Sequence, residues 1–241
     1  MVTVSAYARP STMDEALELL AWSGAVALAG GTRLGGDTSA RRVEVVDLQA
    51  LHLDGIRAEG EHVLRIGAMT RLQQLVDSDL VPEVVREAAR RERPSTLRAQ
   101  GTVGGCVATG DAESELLAAL LVHEAVVHLD TGQGTDALPL EALLAALPVG
   151  PGRIVTAVTL RIDGTAAAAH TARTPADRAI VAAFARESER GRRVALTGVA
   201  ATPVLVQPGE ELHPVGDFRG SDEYRRALAD VLTDRVVEAI S

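Results

Sequence analysis

Two stretches poor in side chains carry the chemistry legible in this sequence. The first, Leu28-Ala29-Gly30-Gly31-Thr32-Arg33-Leu34-Gly35-Gly36, follows a short apolar run over residues 25–29 that reads as a buried strand. Paired glycines reach backbone conformations closed to other residues, and they remove the Cβ atoms that keep a bulky anion away from main-chain N–H groups. That is the chemistry of a diphosphate cradle. One Gly-Gly-Thr turn is a common connection, so the signal lies in its recurrence. A second stretch, Gly101-Thr102-Val103-Gly104-Gly105-Cys106-Val107-Ala108-Thr109-Gly110, lies far along the chain, and two such loops can close on one ligand from opposite sides.

Other chemistry is excluded by what the chain lacks. None of its basic residues is lysine, which removes Schiff-base chemistry and the P-loop lysine. A formal charge of −9 argues against a nucleic-acid surface, which needs a concentrated basic face. The single cysteine, Cys106, supplies neither an internal disulfide nor a multi-cysteine metal site. His123 and His128 lack the i, i+4 spacing of a helical metal pair and read as packing or surface residues. Gly30 to Gly35 lacks the G-x-G-x-x-G spacing of a Rossmann turn. The N-terminus shows no signal peptide, and the most apolar stretch, residues 116–122, is too short to span a bilayer, so no membrane span and a cytoplasmic location are expected.

The elements that must position these stretches are readable in order. Ser11 or Thr12 caps a helix with Met13, Ala16, Leu17 and Leu20 on one face, ended by Gly24. Residues 25–29 and 43–46 read as strands joined by a connection long enough for a parallel crossover, which makes residues 1–53 a small α/β lobe. Residues 56–58 and 63–66 form a hairpin, Thr70 caps a helix through Val76, and Pro82 opens another that ends near Arg91. Residues 93–100 have no regular period. A helix from Ser114 or Glu115 to Val122, a strand over 125–129 and a polar turn over 130–136 follow. Residues 154–162 alternate, with Ile154, Val158, Leu160 and Ile162 on one face, as in a half-buried antiparallel strand. These features make residues 54–163 a second, α+β lobe. Residues 164–169 read as a linker or edge strand, then come a helix over 175–189, a strand over 193–200, a Pro- and Gly-rich passage over 203–214 and a last helix over 221–240. Residues 164–241 thus form a third, C-terminal lobe.

In this order the motifs resemble the flavoprotein (medium) subunit of the molybdenum hydroxylases, the group that includes carbon monoxide dehydrogenase and bacterial xanthine and nicotinate dehydrogenases. The resemblance rests on Ala29-Gly30-Gly31-Thr32, Val46-Asp47-Leu48, Leu64-Arg65-Ile66-Gly67-Ala68-Met69-Thr70, Leu97-Arg98 ahead of Gly101-Thr102-Val103-Gly104-Gly105, and Asp222-Glu223-Tyr224-Arg225-Arg226. It implies an α+β fold: a two-lobed FAD-binding domain of the vanillyl-alcohol-oxidase (PCMH) type with a small C-terminal lobe. It further implies an FAD-dependent oxidoreductase subunit that works with a molybdenum-cofactor large subunit and a 2Fe-2S small subunit, and passes electrons from the iron–sulfur clusters to NAD or another acceptor. Such a subunit needs no proton-abstracting dyad, because the flavin carries the redox chemistry.

Carried over residue by residue, the resemblance places Ala27, Leu28, Ala29, Gly30, Gly31, Thr32, Arg33 and Leu34 on the diphosphate through backbone N–H groups, with the Thr32 hydroxyl added. Thr102, Val103, Gly104, Gly105, Cys106 and Thr109 close the cradle. Glu115 stands for an aspartate that reaches the ribose or flavin side, and Val155 for an apolar residue whose backbone meets the isoalloxazine ring. The chain departs from the family pattern at Ala99 and Cys106, each in place of asparagine, at Asp111-Ala112 in place of Ser-Pro, and at Ala169 or His170 where a lysine is expected. These losses motivate a rival reading, a scaffold subunit with weak or no FAD binding. A free-standing flavin enzyme is a third reading, opposed by the scarcity of aromatic residues to line a substrate pocket.

Overall fold

The computed structural model describes residues 2–34, 38–174, 177–207 and 209–241. Gly35 and Gly36 of the first glycine stretch, and Pro175 at the start of the expected helix, lie outside the described residues.

β1 (Thr3–Ala8) leads to α1 (Met13–Leu20), where Thr12 is the cap and accepts a hydrogen bond from the Glu15 N–H. The helix buries Ala16, Leu17 and Leu20, as its stripe requires, and stops at Leu20, ahead of Gly24, which takes φ +93° in the following turn. β2 (Ala25–Leu28) and β3 (Arg42–Asp47) complete a three-stranded sheet in the order β1-β3-β2. Both pairings are parallel, as the crossover between the expected strands requires.

β4 (Ile56–Ala58) and β5 (Val63–Gly67) form the expected hairpin. Thr70 does not cap the next helix, α2 (Leu72–Asp77), whose cap position is Arg71. The Thr70 hydroxyl instead donates to the Gly55 carbonyl at 3.1 Å and accepts from the Gly55 N–H at 3.0 Å, fixing the entrance to β4. α3 (Glu83–Glu92) begins after Pro82, and the aperiodic segment that follows contains one short turn, α4 (Ser95–Arg98). The second glycine stretch is not a loop: it folds as α5 (Val103–Thr109), capped by Thr102 and ended by Gly110 at φ +59°. α6 (Glu115–Val122), capped by Ser114, is buried along its whole length. β6 (Val126–Asp130), β7 (Thr135–Pro139), α7 (Leu140–Ala145) and β8 (Ile154–Arg161) complete an antiparallel sheet in the order β4-β5-β8-β6-β7. The polar turn expected over 130–136 is shorter, because β6 and β7 take up both of its ends.

One alternation in β8 is broken. The register slips where His128 and Leu129 face Ala157 and Val155, so Val155 joins Val158 and Leu160 in the core of this sheet. Ile154 packs instead with Ala16, Leu17 and Leu20 of the first sheet's core. A bulge adds one residue to one strand and inverts the side-chain phase beyond it. The shared face read for Ile154 and Val158 is therefore corrected.

β9 (Thr165–Thr171), β10 (Val181–Ser188), β11 (Gly191–Thr197) and β12 (Val204–Val206) form a third antiparallel sheet in the order β12-β11-β10-β9, covered by α8 (Asp222–Ala239) with Ser221 as its cap. Of the stretch 164–169, all but Gly164 thus falls on an edge strand. The helix expected over 175–189 is wrong, since β10 occupies the centre of this sheet. Val181, Ala182, Ala183, Phe184, Ala185 and Arg186 are all buried, some in the core shared with α6 and others beneath α8. A strand covered on both faces shows a continuous apolar run, which periodicity alone does not tell from a buried helix.

Candidate functional site

The first glycine stretch leaves β2 at the sheet edge and turns toward the segment between α4 and α5. What lets it approach is Gly30, where an added Cβ would lie 2.0 Å from the Gln100 carbonyl oxygen and 3.0 Å from the Gly101 Cα. Gly31 follows at φ +69°, the left-handed region that glycine enters without strain. Beside this contact opens a cleft of about 750 Å³. Ala27, Leu28, Ala29, Gly30, Gly31, Thr32, Arg33 and Leu34 line one wall, with Arg41; Thr102, Gly105, Cys106, Ala108 and Thr109 line the other, with Glu92, Arg93 and Asp111.

The two walls differ in what they offer. No backbone N–H of residues 30–34 has a hydrogen-bond partner among the described residues. On the opposite wall the donors are already used: Val103 N–H bonds Thr70 O, Gly104 N–H bonds Ala68 O, Gly105 N–H bonds Thr102 Oγ1 and Cys106 N–H bonds Thr102 O. Whatever Gly104 and Gly105 contribute to closing the cradle is therefore not a free N–H group. A buried helix start satisfies its first N–H groups from its own cap and neighbours, and this one has done so.

The remaining expected residues divide. Gly104 and Val155 line an adjoining hollow of about 330 Å³, with Ala68, Met69 and residues 148–153, on the far side of Ala27 and Ala29. Val103 is fully buried in the core. Glu115 does not line the cleft: it is buried, and both carboxylate oxygens accept from Arg91 Nε at 3.1 Å. Asp111, at the Ser-Pro position of the family pattern, is held by Arg178 at 3.1 and 3.2 Å and lies 3.6 Å from Arg93. Glu113 beside it is held by Arg178 and Arg219, so arginines beyond residue 163 clamp the segment between α5 and α6. Cys106 is half-buried in the cleft wall, where desolvation pushes its thiol well above the ordinary range and holds it neutral.

Glu92 was not singled out from the sequence. It closes the buried stripe Val85, Ala88, Ala89, Glu92 of α3, and a carboxylate at that spacing is the signal that could have found it. Of the two uses read for the histidines, packing or surface, His123 takes packing: it is buried, with Nδ1 2.6 Å from the Arg161 carbonyl, and desolvation lowers its pKa to about 4.

An α+β protein with a bare glycine turn facing a deep crevice is the class this fold and site define. Within that class the chain belongs to the family described as the FAD binding domain in molybdopterin dehydrogenase, which matches residues 3–160. It is 32% identical to an uncharacterized protein of Escherichia coli K12, YgfM, over 95% of this chain and 93% of that one. To the carbon monoxide dehydrogenase medium chain of Afipia carboxidovorans it is 28% identical, over 96% of this chain and 95% of that one. Carbon monoxide dehydrogenase of Hydrogenophaga pseudoflava, in a form lacking the Mo-pyranopterin moiety, shares the fold: TM-score 0.90 over 100% of this chain and 98% of that one, at 24% identity. Among the described residues no helix is long and apolar enough to cross a membrane, and no group of three metal-ligating side chains converges.

Proposed function

We propose that this chain binds FAD in the cleft and serves as the electron-transferring flavoprotein subunit of a molybdenum hydroxylase-type oxidoreductase. In this reading it takes electrons from a partner's 2Fe-2S clusters and passes them to NAD or another acceptor, beside a molybdenum-cofactor large subunit. Support for the complex comes from the full-length likeness to the carbon monoxide dehydrogenase medium chain. Its division into residues 1–53, 54–163 and 164–241 belongs to the same proposal.

The observation that carries the reading is that residues 30–34, whose N–H groups have no partner among the described residues, line a cleft of about 750 Å³. Oriented backbone amides are an anion site, and Arg33 and Arg41 on the same wall add positive charge. The residues present therefore fit a diphosphate. When bound, FAD would supply the one- and two-electron chemistry. The protein's share is to grip the diphosphate from the first wall, shape the crevice with α5 and keep Cys106 neutral beside the ligand. The purified chain should be yellow, and added FAD should raise its melting temperature. A colourless chain with no thermal shift overturns the proposal.

A scaffold subunit with weak or no FAD is the second reading, favoured by Glu115 and Asp111. Both stand where the resemblance expects cofactor contacts or their neighbours, and both are engaged by arginines. Stoichiometric FAD in the native protein removes it.

A further inference from the structure

One acidic side chain of the cleft is unlike the others. Glu92 is 3% exposed, yet it lines the cleft, and no arginine lies within ion-pair distance of it among the described residues. Its neighbours are engaged elsewhere: Arg91 on Glu115, and Arg93 and Arg178 on Asp111. One of its oxygens, Oε2, accepts from Ser114 Oγ at 2.9 Å and from the Leu116 N–H at 3.3 Å, at the start of α6. The other, Oε1, bonds to nothing among the described residues and is not among the polar atoms sealed without a partner. The accessible surface left to it is the cleft.

We propose that Glu92 is a cofactor-positioning residue, with Oε1–H donating a hydrogen bond from the cleft wall to an acceptor oxygen of the bound dinucleotide. This rests on the FAD reading above. A buried carboxyl without a cationic partner favours its neutral form, and burial does push Glu92 upward, against the smaller pull of Ser114, Arg178 and the Leu116 N–H. With Oε2 accepting two donors, the proton belongs on Oε1, and a neutral acid has an O–H to give where a carboxylate has none. Beside a diphosphate the distinction is decisive, since an ionised Glu92 would repel the ligand it lines. The groups facing it are Ser114 and Leu116 from the start of α6, Cys106 from α5, and the charged Asp111, Arg93 and Arg178. Of these, Cys106 stays neutral, and Asp111 is paired with both arginines.

The sign follows from linkage. Below the ionisation of Glu92 the donor is present and FAD affinity is flat; above it the bound form must recover a proton, and affinity falls by up to about tenfold per pH unit. Glu92→Gln mimics the neutral acid: its amide oxygen accepts from Ser114 and Leu116, and its NH₂ replaces the O–H. The experiment is FAD titration of the full chain at a series of pH values from the ordinary carboxylate range upward, as far as the chain stays folded, wild type against Glu92→Gln, with proton uptake read by calorimetry in two buffers of different ionisation enthalpy. Where Glu92 is ionised in the free chain, the wild type should weaken with rising pH and take up a proton on binding, and below that it should bind as tightly as Glu92→Gln; the variant should bind independently of pH and take up none. Glu92→Leu, which has no O–H to give, should bind FAD about tenfold or more weakly at every pH, and it serves in place of Glu92→Gln should that variant not fold. Wild-type binding with neither pH dependence nor proton uptake, together with unchanged affinity in Glu92→Leu, overturns the proposal and leaves the FAD reading standing. Absence of FAD binding at every pH overturns the FAD reading, and this proposal with it.

Discussion

The two glycine pairs look interchangeable in the sequence and are opposites in the structure. Gly30-Gly31 sits in an irregular turn whose N–H groups are bare, and its tight packing is against the backbone of residues 100–101. Gly104-Gly105 sits in the first turn of α5, its N–H groups already bonded, and Gly104 is tight against Ala68, where a Cβ would stand 2.8 Å from the Ala68 Cβ. One pair therefore leaves backbone open beside the cleft; the other removes bulk so that a helix can press onto the end of β5. A Gly-Gly dipeptide announces that a Cβ is unwelcome, and only its neighbours show whether a ligand or another part of the chain is the reason.

The sharpest way to break this comparison is Gly30→Ala. Its methyl would meet a carbonyl oxygen at 2.0 Å, with backbone rather than a flexible side chain in the way, so the two walls must separate. We expect a stability loss of about 3 kcal/mol by urea unfolding, and FAD affinity reduced by about 100-fold or more in the folded fraction. Gly104→Ala should cost about 2 kcal/mol from the same overpacking, while changing FAD affinity less than about threefold. Adding Ala68→Gly should return roughly 1 kcal/mol, a coupling that a double-mutant cycle measures. Were Gly104→Ala to abolish FAD binding while leaving stability intact, the division of labour between the two pairs would be wrong. The smallest effect is expected at Gly31→Ala, where φ +69° imposes about 1 kcal/mol of strain and the nearest atom, Leu28 Cδ1 at 3.3 Å, is a side-chain tip able to move. FAD affinity should fall about fivefold there, read by fluorescence quenching.

Much of the frame was legible because local rules agree with the fold. Thr12, Ser114 and Ser221 cap the helices they precede, and the hairpin around Gly60 forms where its turn residues stand. What was not legible required a partner. Residues 181–186 read as helix because both faces are covered, by α6 on one side and α8 on the other, and neither cover is visible from inside the run. Thr70 read as a cap because its hydroxyl suits one; Gly55, fifteen residues earlier, claims it instead. At the site, the residues read as a first glycine loop do line a cleft, whereas Glu115, placed near a ligand by resemblance, is buried against Arg91.

By itself the sequence determined where backbone must come close to something, because glycine spacing, caps and apolar periods are short-range consequences of sterics and solvation. Only the tertiary structure decided what that something is. Whether an N–H stays bare or an acid finds an arginine depends on groups distant in the chain, as Gln100 is from Gly30 and Ser114 from Glu92. Buried polar groups are completed by whatever the fold brings within hydrogen-bond reach, and in Glu92 and residues 30–34 it left some of that capacity open to the cleft.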